Sequence, residues 1–212
     1  MNKKVLGVAI PYYKNADQCE FYFKKLMEKL NNQLTDDMIL FVYEDGQYSE
    51  WLKEYDKSNV KRISVEENKG VSHARNIGID YLIDKVEYIL FLDSDDDVDD
   101  DYLQKVYEYC ADMTHEIIET SFSVNNTPSA FNPNVVRSGV AGSAIATKII
   151  GKTRFDEKLQ IGEDTKFMNE VCDLTKYRKK HCKTNYNYQY GINPVSLIQN
   201  YNNKRIKKER VN

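Results

Sequence analysis

The sequence has little of what marks several large protein classes. Glycine and proline number only 9 and 4 in 212 residues, which excludes collagen-like and low-complexity chains. No two glycines are spaced Gly-x-Gly, so neither a dinucleotide fingerprint nor a phosphate loop is present. His73, His115 and His181 are scattered and no His-Glu-x-x-His occurs, which removes the common zinc-hydrolase motif. Cys19, Cys110, Cys172 and Cys182 form no Cys-x-x-Cys pair and read as free thiols of a reducing compartment. The apolar run at residues 5–10 is too short for a secretory signal. No stretch approaches the ~20 apolar residues of a membrane-spanning helix, and the expectation is a cytoplasmic chain.

What is present is a globular composition, with 41% hydrophobic and 12% aromatic residues, and a hidden charge division. Residues 1–170 carry 20 Lys/Arg and 31 Asp/Glu, a charge of −11, whereas residues 171–212 carry 10 and 2, a charge of +8. The formal net charge of −3 therefore conceals a polarised chain.

Apolar runs at residues 5–10, 38–43, 62–65 and 88–92 read as strands. Between them, Cys19, Tyr22, Phe23, Leu26, Met27 and Leu30 stripe one helix, and Val71, Ala74, Gly78, Tyr81 and Leu82 another. A short helix is expected at residues 51–55. Alternating strand and helix predicts a parallel-type α/β sheet with helices on both faces, whose ligands bind at the carboxyl ends of the strands. Tyr12, Tyr13, Glu44, Asp45 and the acids from Asp93 onward follow those strands. Beyond them come a helix carrying Leu103, Val106 and Cys110, a strand at 117–122, a loop or lid at 123–133, a strand or short helix near 144–150, a helix after Glu163 and a strand around 185–190.

Residues 93–101 hold seven carboxylates in nine positions. A calcium loop fails, because Val98 stands where glycine is needed and Gln104 where a bidentate glutamate belongs. Asp99, Asp100 and Asp101 suit a helix N-terminus. Asp93 and Asp95 follow directly on a buried run, and two carboxylates there suit Mg²⁺ or Mn²⁺ holding phosphates.

Five segments, Val8-Ala-Ile-Pro-Tyr-Tyr-Lys-Asn15, Tyr43-Glu-Asp-Gly46, Asn68-Lys-Gly-Val-Ser-His-Ala-Arg-Asn-Ile-Gly-Ile79, Phe91-Leu-Asp-Ser-Asp-Asp96 and Gly162-Glu-Asp-Thr-Lys-Phe167, resemble in order the motifs of glycosyltransferase family 2. The resemblance covers about residues 5–170, with a Tyr-rich segment at 187–196 similar to the family's extension. It implies a single-domain GT-A fold, a Rossmann-like, mixed and mostly parallel sheet flanked by helices. Residues 1–170 would be the nucleotide-sugar-binding and catalytic part, and 171–212 a basic, Tyr-rich extension packed on or beside it. It also implies a UDP-sugar donor, Mn²⁺ or Mg²⁺, and inversion at the anomeric carbon.

The resemblance assigns donor binding to Pro11, which ends the first strand, and to Tyr13, Asp45, Arg75, Asp93 and Ser94. Tyr13 would stack on the base, Asp45 accept from the pyrimidine imide, and Arg75 act as a cation near the nucleotide. Asp93, Asp95 and Asp96 would share the metal and ribose. Asp164 matches the general base, with Glu163 orienting the acceptor or supporting it, although both also suit a plain helix N-terminus. His73 reads as a helix residue. Glu44, Gln47 and Lys14 depart from the family pattern around the nucleotide. The absence of Gln-x-x-Arg-Trp favours addition of a single hexose or N-acetylhexosamine. The alternatives are a silent nucleotide- or glycan-binding module and a sugar nucleotidyltransferase, whose Gly-rich loop is replaced here by Pro11-Tyr-Tyr-Lys14.

Two basic clusters follow, Lys176, Arg178, Lys179, Lys180 and Lys183, then Lys204, Arg205, Lys207, Lys208 and Arg210. They are solvated surface, or they engage an anionic acceptor, glycan or lipid-linked, or the face of an anionic membrane.

Overall fold

The computed structural model describes residues 3–14, 17–132, 134–135 and 137–189. The strands are β1 (Lys4–Tyr12), β2 (Met38–Glu44), β3 (Val60–Ser64), β4 (Val86–Phe91), β5 (Asp97–Val98), β6 (Ile117–Val124), β7 (Thr127–Ser129), β8 (Ser143–Ala146) and β9 (Lys179–Tyr188). The helices are α1 (Asp17–Asn31), α2 (Val71–Leu82), α3 (Tyr102–Ala111), α4 (Thr147–Ile150) and α5 (Glu163–Val171), with a 3-10 turn at Glu50–Tyr55. All strands join one sheet in the order β3-β2-β1-β4-β8-β6-β9-β5, with β7 on β6. β1 to β4 are mutually parallel, β8 runs antiparallel to β4, and β6 and β9 run parallel to each other. The sheet is therefore mixed, with helices on both faces, in a single domain.

Strand alternation builds two cores. Leu6, Val8 and Ile10 of β1 meet Phe23, Leu26 and Leu30 of α1 and Leu103 and Val106 of α3 on one face. Ala9, Phe41, Ile89 and Phe91 meet Ile79 and Leu82 of α2 and Phe167 and Met168 of α5 on the other. All four cysteines are buried, and none is in a disulfide.

Several elements differ from the sequence reading. Residues 123–129, expected within a loop, complete a hairpin in which β7 pairs with β6. Its two-residue turn is Asn125-Asn126, both at positive φ, the conformation that matches hairpin twist and that asparagine tolerates. Pro11 does not end β1, which continues to Tyr12 in register with β2. The Ala9 carbonyl accepts from Leu92 on the β4 side and the Tyr12 carbonyl from Asp45 on the β2 side. Pro11 thus faces the β4 side after that pairing has stopped at Ala9–Phe91, where its missing N–H costs no ladder bond. β9 begins at Lys179, earlier than expected. It comes from the 171–212 segment and lies inside the sheet between β6 and β5. The tyrosines and basic residues from 190 onward lie outside the described residues.

Gly142 and Gly162 both have positive φ, but a Cβ on Gly142 would come within 3.0 Å of Thr120 and Tyr186, whereas nothing lies near one on Gly162. Gly162→Ala should cost about 1 kcal/mol, the backbone term alone, and Gly142→Ala about 2–4 kcal/mol. Urea denaturation of the two variants checks the difference; equal losses would contradict the close packing of β9 against the β8 entry.

Candidate active site

The carboxyl ends of β1, β2 and β4 bring together most of the residues singled out from sequence. Tyr13 lies just past β1 and is 46% exposed, whereas Tyr12 is buried against Phe23 and Trp51. Asp45 is buried, and its two oxygens accept the backbone N–H groups of Lys69 and Gly70 at 2.7 and 2.8 Å. It ties the end of β2 to the start of α2. Glu44 is wholly buried and structural, accepting from the Ser49 N–H and the Ser64 hydroxyl. Two departures from the family pattern meet here: the Lys14 N–H donates to the Gln47 side-chain oxygen at 2.6 Å.

Arg75 is the centre of the site. It is 3% exposed and donates to Asp93 at 2.7 Å, to Asp164 at 2.5 Å and to Glu163 at 3.4 Å. The sequence reading places it near the nucleotide; in the structure it binds Asp93, Glu163 and Asp164. Burial alone would lower its pKa, but the charges of Asp164 and Asp93 raise it, so it stays cationic. Its guanidinium lies over the ring of Phe155, 5.4 Å from the centroid. Phe155 in turn stacks on Phe167 of α5 at 4.0 Å and meets Phe91 of β4 edge-on.

Asp164 sits in the first turn of α5. One oxygen accepts from Arg75 and the other from the Val140 N–H at 3.3 Å. Burial pushes its pKa up to about 6; Arg75 opposes this, while Asp93 and Glu163 add to it. A carboxylate with such a pKa is ionised near neutrality yet basic enough to take a proton.

Asp93, Ser94 and Asp95 are half-buried at the mouth. Asp96 lies deeper than these three: it is 2% exposed, and its oxygens accept from the Tyr186 hydroxyl and the Gln189 N–H. Burial, then the nearby charges of Asp95 and Asp93, raise its pKa well above the usual range. It anchors the end of β9 to the acid loop. Of the first basic cluster, Lys179 is buried, Lys176 pairs with Asp173 and Arg178 approaches Glu116; the second cluster lies outside the described residues.

Sequence reasoning missed Asn76. Its side chain accepts from the Phe155 N–H and donates to the Phe155 carbonyl and to Glu157, holding the segment that leads into α5. Glu157 also meets His73 at 3.2 Å. Arg75 and Asn76 are neighbours on one helix, one holding the acids and the other the backbone that delivers them. The signal available was two adjacent polar residues, Arg75 and Asn76, among the small and apolar residues that α2 buries.

A teichoic acid poly(glycerol phosphate) polymerase of Staphylococcus epidermidis is 35% identical over 105 residues, 46% of this chain and 13% of that protein. The dTDP-rhamnosyl transferase RfbF of Shigella flexneri is 25% identical over 179 residues, 82% of this chain and 57% of that protein. Among solved structures, S. aureus TarS 1-349 superposes with a TM-score of 0.72 at 18% identity, covering 87% of this chain and 60% of that one. Its complex with UDP-GlcNAc gives 0.71 at 17% identity, covering 91% and 61%. The chain thus spans less than two thirds of each of these proteins, and the structural likeness establishes a shared GT-A-type fold. The model of the family described as "Glycosyl transferase family 2" matches residues 8–184, from β1 through the acid loop and α5 into β9, and the chain belongs to that family.

Proposed function

We propose that this chain moves a single hexose or N-acetylhexosamine from a UDP-sugar to an acceptor hydroxyl, with inversion, using Asp164 as general base. The carrying observation is the Asp93–Arg75–Asp164 arrangement, which joins an acid of the donor side to an acid of suitable basicity within one buried cluster. In this reading the acceptor hydroxyl gives its proton to the Asp164 carboxylate as its oxygen bonds to the anomeric carbon. The bond from that carbon to the diphosphate oxygen breaks on the opposite side, and UDP leaves. Arg75 keeps Asp164 oriented, and Glu163 supports it.

Exposed Tyr13 offers a face for the base, a contact worth about 1–3 kcal/mol. Asp45 already accepts two backbone N–H groups, but each carboxylate oxygen retains a lone pair for the imide of uracil. The complex of S. aureus TarS with UDP-GlcNAc supports the choice of donor. Mg²⁺ and Mn²⁺ are held through one or two carboxylates together with substrate phosphates. Asp93 and Asp95 fit that requirement, although among the described residues no group of three or more His, Cys, Asp or Glu side chains is arranged to hold a metal ion. When bound, the ion supplies charge neutralisation to the departing diphosphate. An anionic acceptor, glycan or lipid-linked, is supported by the exposed basic residues Lys176, Arg178, Lys180 and Lys183 and by relatives named for teichoic acid synthesis. Among the described residues no helix is long and apolar enough to cross a membrane, and the proposal places the chain in the cytoplasm, where it meets a membrane at its surface.

Release of the nucleoside diphosphate from a panel of UDP-, GDP- and dTDP-sugars with Mn²⁺ tests the reading. UDP-sugars should respond, with a rate that falls as pH drops through about 6, because the base must be deprotonated. Asp164→Asn should reduce release by about 10²–10⁴-fold with UDP affinity retained; no response to any donor, or normal turnover in that variant, would overturn it. Calorimetric titration of Mn²⁺ in the presence of UDP separates the acids. Asp93→Asn and Asp95→Asn should each weaken binding about tenfold or more, whereas Asp96→Asn should lower thermal stability with Mn²⁺ affinity nearly unchanged. Loss of Mn²⁺ binding confined to Asp96→Asn would contradict its inward placement.

A further inference from the structure

A buried ion pair lies under the segment that carries Val140, and the proposed chemistry does not use it. The side chains of Lys179 on β9 and Glu119 on β6 are 2% and 5% exposed and meet at 3.0 Å. An ammonium has three donors, and Lys179 engages three acceptors: Glu119, the Asn132 carbonyl at 2.8 Å and the Val135 carbonyl. It also sits over Phe131, whose ring stacks on His181. The second oxygen of Glu119 accepts the Arg137 N–H at 3.0 Å, and the Arg137 guanidinium donates to the carbonyls of Thr120 and Gly142. The Gly142 N–H is fixed on the Phe91 carbonyl at 2.8 Å. Val140 therefore lies between two pinned points, Arg137 and Gly142, and its N–H is the one that meets Asp164.

We infer that Lys179 and Glu119 are positioning residues for Asp164, acting through Arg137 and this strap to hold the Val140 N–H against its carboxylate. The inference rests on the reading of Asp164 as the base. A buried ion pair is weak evidence of stabilisation in itself, since apolar residues of similar volume often serve as well. What the pair adds here is direction: every polar atom of Lys179 and Glu119 is spent on backbone of the strap or on the partner charge. The groups facing Asp164 are Arg75 from α2, Asp93 from the loop after β4, Glu163 on its own helix and the Val140 N–H from the strap. Only the last depends on Lys179.

The test compares Lys179→Met with the double variant Glu119→Leu/Lys179→Met. Three quantities are read: the carboxyl titration of Asp164 by ¹³C NMR, assigned by its loss in Asp164→Asn; UDP release from a UDP-sugar; and thermal unfolding. Lys179→Met should move the titration midpoint up by about half a unit or more, since a hydrogen bond to the charged form is withdrawn. It should lower kcat about tenfold or more with donor KM within about twofold. The double variant removes the unpaired buried glutamate and should regain thermal stability, yet keep the shifted titration and low kcat. Recovery of titration and rate in the double variant, or an unmoved titration in Lys179→Met, would overturn the inference. The titration needs no substrate: a shifted midpoint supports the strap even if the wild-type chain releases no UDP, a result that counts against the transferase reading alone.

Discussion

The site depends on one buried guanidinium. Arg75 brings three carboxylates from two distant parts of the chain to a single point: Asp93 lies 18 residues away in sequence, Glu163 88 and Asp164 89. Without a cation there, Asp93, Glu163 and Asp164 would repel in a low-dielectric setting. A guanidinium suits the task because its planar fork serves several acceptors at once, which a point charge on a flexible stem does not. Removing one partner of a buried ion cluster costs about 3–5 kcal/mol, so the arrangement resists change.

The rest of the structure makes that placement possible. Phe155 gives Arg75 an aromatic floor, and its contacts with Phe91 and Phe167 help dock α5 against β4. Asn76 pins the segment before α5 through backbone bonds to Phe155. Gly78 allows α2 to sit close on β1 and β2, since a Cβ there would lie 3.1 Å from Ala9 and 3.4 Å from Phe41. On the other side of the acid loop, Tyr186 and the Gln189 N–H hold Asp96, so the loop is fixed from β9 while Asp93 and Asp95 remain at the mouth. The acids after β4 and those at the start of α5 are thereby set by the same two sheet faces that form the core.

The parallel half of the sheet was legible because its signals are local: apolar runs in β1, β2 and β4, and the spacing of Phe23, Leu26, Met27 and Leu30 on α1. The order of motifs located the acid loop and α5. What could not be read depends on contacts between distant residues. Lys179 looked like one member of a solvated basic cluster, and only the pairing of β9 with β6 gives it Glu119. Asp96 is chemically the equal of Asp93 and Asp95, and its inward turn is set by Tyr186, 90 residues away. Arg75 stands in one of the ordered motifs, but its partners could not be named from its neighbours in sequence. The Asn125-Asn126 hairpin was a local signal, masked by the polar and proline-rich residues around it.

The most direct measurement is the steady-state rate of UDP release by Arg75→Lys, compared with the wild-type chain at equal UDP-sugar saturation and with cooperative unfolding verified for both. If one fork must serve Asp93 and Asp164 together, lysine keeps the charge but loses the shared geometry, and kcat falls about 100-fold while the chain stays folded. A kcat within about twofold of wild type would contradict the central place given to Arg75.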